Sequence, residues 1–444
     1  MSRRGSTHVE RWQATSEHPC VVVESSPELP LAQVVVAQRT GSTADPHAKE
    51  GLVQLAARLM RRTAGGLPPH ELERRVDSLG ATLSVDTGRS TVMFQGVTIS
   101  RSLDAFVDVL TDVFGRPGLS PEEFDRLKRE TEAELIESRD DDRSLVRRAF
   151  RRHVFESDEH TRPVSGTVSS IRRICHDDVH SVVQRTWLTG NVVIAFAGDV
   201  ALDHAKGLAD RIGTALRPGA PLPDGLPEPS VPPGRRLVVV DKPERTQTQV
   251  LIGGLGTLPS DEDHVALHVA NTAFGGTFSA RMTREIRSKR GWSYGAYSSL
   301  PFDRYRQPFS MWTFPKATDA PACVSVQLSM LEEWNRTGIT RAELAQAKRY
   351  LVRSHAFAVD TAAKRVGLAL EAELYALPPR YHEDYLERVK AVTLDQANRA
   401  VQQRLSPANL LVTVVGTASE IVVPLQDAIR DLSRTLIIPF DADD

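Results

Sequence analysis

The chain repeats itself, and the repeat limits what it can fold into more than any other feature. Val21-Val22-Val23-Glu24-Ser25-Ser26-Pro27, followed by Gln33-Val34, recurs as Val238-Val239-Val240 through Pro243, followed by Gln249-Val250; both the proline and the glutamine are displaced by 216 residues. Ser120-Pro121-Glu122-Glu123 has the form of a helix-capping box, with Ser at the N-cap, Pro in the first turn and Glu at the third position. It recurs 220 residues later as Thr340-Arg341-Ala342-Glu343, and each copy leads into a helical stretch with a lysine at the same place, Lys128 and Lys348. Asn191-Val192-Val193-Ile194-Ala195-Phe196-Ala197-Gly198 matches Asn409-Leu410-Leu411-Val412-Thr413-Val414-Val415-Gly416 at an offset of 218. Both are aliphatic runs ending in glycine, as expected of buried strands. Three matches in the same order identify a duplication. Between the copies, Pro218 to Pro233 holds seven prolines in sixteen residues, a stiff extended segment unsuited to a core. The expected organisation is residues 1–216 as one domain, 217–234 as a linker and 235–444 as a second, homologous domain, each of ordinary domain size.

Within the first copy the pattern gives two strands, the second over Leu31 to Arg39. A helix follows from about Glu50, with Leu52, Leu55, Ala56 and Leu59 on one face. His70 to Leu79 reads as a short helix and Thr82 to Thr98 as strands. Ser102 to Phe114 reads as an amphipathic helix. Helices and strands mix without a strict βαβ rhythm, so the fold class is α+β.

Composition narrows the function. A net charge of −2 provides no global field for nucleic acid or an anionic membrane, and aromatic residues are only 6% of the chain, too few for a base-stacking platform. No apolar run follows the opening Met1-Ser2-Arg3-Arg4, and no stretch is long and apolar enough to span a bilayer. Cys20, Cys175 and Cys323 are odd in number and widely spaced, which fits neither a disulfide framework nor a zinc motif. These features predict a cytoplasmic protein with reduced thiols.

Two segments carry the functional signal. The first is Gly51-Leu52-Val53-Gln54-Leu55-Ala56-Ala57-Arg58-Leu59-Met60. The second runs from Phe274-Gly275-Gly276 through Arg287-Ser288-Lys289-Arg290-Gly291-Trp292-Ser293-Tyr294. With the duplication, they make the chain resemble the pitrilysin, insulinase and mitochondrial-processing-peptidase family of metallopeptidases, from about Val21 to Gly416. The resemblance implies a clam-shell architecture in which homologous halves enclose a peptide chamber.

Active members of that family carry H-x-x-E-H on the first helix. Two imidazoles four residues apart grip one zinc, and the glutamate acts as general base on its water. By resemblance, Gln54 and Arg58 stand at the histidine positions and Ala57 at the base. Glu134 stands at the downstream ligand. A guanidinium cannot ligate zinc and repels it, so no metal is expected in this chain, and Glu134 is expected to pair with a cation such as Arg58. Arg287 and Tyr294, seven apart, match the pair with which the family's C-terminal domain contacts substrate. The resemblance thus implies a zinc-free subunit that pairs with a homologous H-x-x-E-H chain holding the zinc. Together they would bind a peptide substrate and stabilise its transition state. A structural core protein, or a peptide escort without proteolytic role, is the alternative.

His264 and His268 share metal-ligand spacing, but the repeat offset places them away from Gln54 and Arg58, so a satisfied histidine pair is expected. The charge-rich run from Arg139 to His153 carries Leu145, Val146, Phe150 and Val154 at near-helical spacing and reads as a helix with a solvated face.

Overall fold

The computed structural model describes residues 9–223 and 225–443; residues 1–8, read above for a leader, lie outside the described residues. Two compact units are present. The first comprises residues up to Glu134 with Val164–Gly225 and Ala356–Leu377; the second comprises Leu135–Pro163, Leu226–His355 and Pro378–Asp444. Among the described residues no helix is long and apolar enough to cross a membrane. Cys20 and Cys323 are buried thiols and Cys175 is exposed.

Each unit is built on a six-stranded mixed sheet. The first contains β1 (Glu10–Trp12), β2 (Cys20–Ser25), β3 (Leu31–Gln38), β4 (Thr82–Thr87), β5 (Val92–Ile99) and β6 (Val192–Gly198), in the order β1-β2-β6-β3-β5-β4. The second contains β7 (Arg235–Asp241), β8 (Gln249–Leu255), β9 (Ala296–Ser299), β10 (Pro308–Thr313), β11 (Leu410–Gly416) and β12 (Leu432–Pro439), in the order β12-β7-β11-β8-β10-β9. The duplication is legible in the register. Val34 faces Phe196 in the first sheet and Val250 faces Val414 in the second. Only one margin differs: β1 is antiparallel to β2, whereas β12 is parallel to β7. The two repeated lysines also do the same work. Lys128 Nζ donates to the carbonyls of Arg172 and Ile174, and Lys348 Nζ donates to that of Lys390, each tying its helix to a following segment.

The compact units do not coincide with the sequence halves, because each half contributes one helix to the other's sheet. Helix Asp142–Val154 packs Leu145, Val146, Ala149 and Phe150 on Val238, Val240, Leu251 and Leu411 of the second sheet. Helix Ala362–Leu374 packs Val366, Ala369, Leu370 and Leu374 on Val22, Val35, Val193 and Ala195 of the first. The cause lies in the strands: runs such as Val21-Val22-Val23 and Val238-Val239-Val240 are apolar on both faces, so each sheet needs helices on both sides. At one matched position the two copies solve this packing differently. Leu145 and Val240 share an apolar cluster. Their counterparts, Arg365 and Glu24, form a buried fork with Nε 2.9 and 3.0 Å from the two carboxylate oxygens.

Three details depart from the sequence reading. Leu31–Gln38 is the third strand, since β1 is too short to show periodicity. Gly291, as a helix stop, leads to the expectation of a strand over Trp292 to Ser299, but the strand begins only at Ala296, because Ser293 Oγ donates to Gly295 O and accepts from Phe314 N–H, bending the chain before it. The Thr340 capping box is complete, but the Ser120 box is half made: Glu123 N–H reaches Ser120 Oγ at 3.3 Å, while its carboxylate pairs with Arg62.

The proline-rich segment is fastened at both ends. Gly219 N–H donates to Ser16 O in the first unit, and Pro227 O and Ser230 O bond to His160 and to Glu156 N–H in the second.

Candidate functional site

The first candidate site lies on helix Leu52–Arg62. Gly51, in the left-handed region at φ 91°, starts it, and the Asp45 carboxylate accepts from Gly51 and Val53 N–H, both at 2.8 Å. Leu52, Leu55, Ala56 and Leu59 face the core. Ala57 is also buried, and Gln54 Oε1 is shielded with no hydrogen-bond partner among the described residues. Arg58 forms a two-point fork with Glu134, each N–O distance 2.7 Å, and adds a bond to Thr131 Oγ1 at 3.2 Å. One turn on, Arg62 does the same with Glu130, at 2.6 and 3.0 Å. Two planar guanidinium forks therefore join this helix to helix Pro121–Glu137. This donor set does not fit zinc: Ala57 offers no ligand atom, Arg58 is a cation, and the carboxylate of Glu134 is engaged by it.

The second candidate site is built on the turn after helix His264–Phe274. Residues Thr283–Lys289 form a π-helix, a wide turn often found at functional positions. Gly291 ends it at φ 67°, with its N–H on Arg287 O and Trp292 N–H on Ile286 O, both 3.1 Å, a left-handed glycine stop whose nested bonds are each one residue wider than those of a Schellman motif. Met282 and Ile286 are fully buried, and Arg281 is held by Glu343 at 2.5 and 2.6 Å. On this fixed base the Arg287 guanidinium carbon lies 4.2 Å from the centre of the Tyr294 ring and 4.3 Å from that of Phe278. The structure thus brings Arg287 and Tyr294 together and adds Phe278 as a second plate. The plates are unusually open for aromatics, with Tyr294 73% and Phe278 64% exposed. Arg287 Nη1 is shielded and has no hydrogen-bond partner among the described residues. Stacking fixes the plane of the guanidinium while leaving N–H donors for a ligand. Nothing in the sequence spacing marks Phe278, which precedes the helix in an irregular loop.

His264 and His268 lie on one helix face among aromatic rings. His264 is 5.8 Å from Phe302 and 6.0 Å from Tyr381, and His268 is 6.4 Å from Tyr385. Burial pushes the His264 pKa down to about 3, with the charges of His268 and Arg388 adding to it; burial also lowers that of His268. No group of three or more side chains able to hold a metal is assembled among the described residues.

Comparison with known proteins decides the family. Residues 20–168 match the family model for insulinase, peptidase family M16, and residues 173–351 match that for the peptidase M16 inactive domain. The chain belongs to the insulinase family. An uncharacterized zinc protease of Mycobacterium leprae is 26% identical over 398 residues, covering 87% of each chain. A non-peptidase homolog of Helicobacter pylori is 19% identical over 396 residues, covering 89% of this chain and 91% of its own. Among solved structures, a peptidase M16 inactive domain from Pseudomonas fluorescens superposes with a TM-score of 0.85 at 22% identity, over 92% of this chain and 98% of that one. The α+β fold with two M16-type domains is therefore that of the family.

Proposed function

We propose that this chain is the zinc-free subunit of a two-subunit zinc metallopeptidase, pairing with a homologous H-x-x-E-H chain that supplies zinc, base and water. The observation that carries the reading is the Arg58–Glu134 fork, which puts a permanent cation on the one carboxylate left among the metal positions. The name of the Helicobacter pylori relative, a non-peptidase homolog, supports the same reading. Arg287 and Tyr294 supply the second support. A guanidinium held flat beside an exposed phenol can donate to a peptide carbonyl, and more strongly to the oxyanion that forms when that carbonyl is attacked. An extended peptide would be gripped by strand addition at a sheet edge, for which β4, at one end of the first sheet, is the candidate strand.

The test is turnover by the reconstituted pair. Arg287→Ala and Tyr294→Phe should each lower it about tenfold or more, as for a lost oxyanion donor, while the two chains still co-elute. Unchanged turnover in both variants would overturn the supporting role.

A further inference from the structure

Helix Asp142–Val154 covers the β7, β8 and β11 part of the second sheet, as described above. On its flank Arg143, Arg147 and Arg151 recur every fourth residue and so share one side. Both ends of this row are fixed, one against β10 and the other against the residue that precedes it. The Arg143 guanidinium lies 4.2 Å from the centre of the Trp312 ring, and Arg151 Nη2 donates to Gln307 Oε1 at 2.7 Å. The row therefore runs along β10. Beyond it the same face of the sheet continues as an open shelf of Ser310 and Trp312 on β10 and of Tyr297 and Ser299 on the outermost strand β9. The Trp312 and Tyr297 rings are 6.4 Å apart and nearly parallel, at 15°.

Arg143 and Arg147 are exposed, and neither has a carboxylate at ion-pair distance among the described residues. The two carboxylates that open the helix are occupied. Asp141 caps the helix through Arg143 N–H and Ser144 Oγ, and Asp142 is held by Lys242 at 2.7 Å and Arg245 at 3.7 Å. Like charges one turn apart repel; burial and then the charge of Arg143 make Arg147 a weaker base than a free arginine.

The fold does not require this row, and the duplication proves the point from within. In helix Ala362–Leu374, 220 residues later, the inward positions are kept as Val366, Ala369 and Leu370, but the row reads Ala363, Gly367 and Glu371. There the corresponding place is a cleft of about 240 Å³, floored by Met93 and Gln95.

We infer that the arginine row and the shelf beside it bind an extended acidic segment of polypeptide. Arginines four apart on a helix step by about 6 Å, and alternate side chains of an extended chain step by about 7 Å. Carboxylates at every second position thus meet successive guanidinium groups, while the backbone lies over Tyr297 and Trp312. This surface lies within the second unit and needs no partner subunit, so its test is independent of the proposed pairing.

The probe is a fluorescein-labelled peptide of alternating Glu and Ser, titrated with the full purified chain and followed by anisotropy. It should bind at low ionic strength and weaken markedly at about 0.15 M salt. Arg143→Glu with Arg147→Glu should reduce affinity tenfold or more, and the milder Arg147→Gln threefold or more, with unchanged far-UV circular dichroism. Arg399→Glu, on a distant helix, should leave it unchanged. The inference is overturned by absence of binding, by equal binding in the Arg147→Gln chain, or by an oligothymidylate that binds more tightly and displaces the peptide; the last result would assign the row to nucleic acid.

Discussion

Glu343 offers a quantitative test of how the Arg287 turn is held in place. Its carboxylate accepts Arg281 Nε at 2.5 Å and Nη2 at 2.6 Å, and also Thr340 N–H at 2.8 Å and Thr340 Oγ1 at 2.9 Å. Its side chain is 18% exposed. Burial alone would raise its pKa, but the Arg281 fork and the Thr340 donors overrule it and bring it from 4.5 to about 2. That displacement corresponds to about 3 kcal/mol in favour of the folded state when the group is ionised. The folded pKa is the depressed one. The contribution is therefore complete above pH 4.5 and is lost as the pH falls towards 2. Glu343→Gln should cost about 3 kcal/mol at pH 7 and only about 1 kcal/mol at pH 3, where most of the ionic term has already gone. Urea unfolding followed by tryptophan fluorescence reads both values, since Trp292, Trp312 and Trp334 lie in this unit. A penalty equal at the two pH values, or absent at pH 7, would refute the assignment of the anchor to this ion pair.

His264, neutral and buried with a pKa of about 3 against an ordinary 6.5, lets the unfolded chain take up a proton that the folded one refuses. Stability should thus fall by about 2 kcal/mol between pH 6.5 and 5, and His264→Leu should flatten that slope in denaturation curves. Arg365→Leu should cost about 3 kcal/mol by stranding the Glu24 carboxylate, which is only 4% exposed. Adding Glu24→Val, to reproduce the Leu145 and Val240 pair of the other unit, should restore most of it; a double variant no better than the single would refute the equivalence of the two sites.

Much of this fold was readable in the sequence because the duplication wrote it twice. The offsets at Gln33, Asn191 and Ser120 reappear as strand register, as matched strands β6 and β11, and as helix starts. The exchange of helices Asp142–Val154 and Ala362–Leu374 was not readable. Amphipathic spacing of Leu145, Val146, Ala149 and Phe150 says that one face is buried, but not against which sheet. The Arg287 and Tyr294 spacing pointed to a joint site, and the structure stacks the two side chains. Phe278 escaped notice because its contact with Arg287 depends on a loop and a π-helical turn, which leave no periodic trace. The Arg58–Glu134 pair is what the family resemblance leads one to expect, since it sets a permanent cation and a carboxylate at neighbouring positions, and the structure joins the two in a fork.

The pairing itself is tested most directly by native affinity purification of the tagged chain, with the co-eluting protein identified and its metal counted. The expected result is a partner of similar size carrying H-x-x-E-H, with about one zinc per pair as that ligand set requires, and none on this chain once the two are separated. A chain that elutes alone, or that carries zinc by itself, would contradict it.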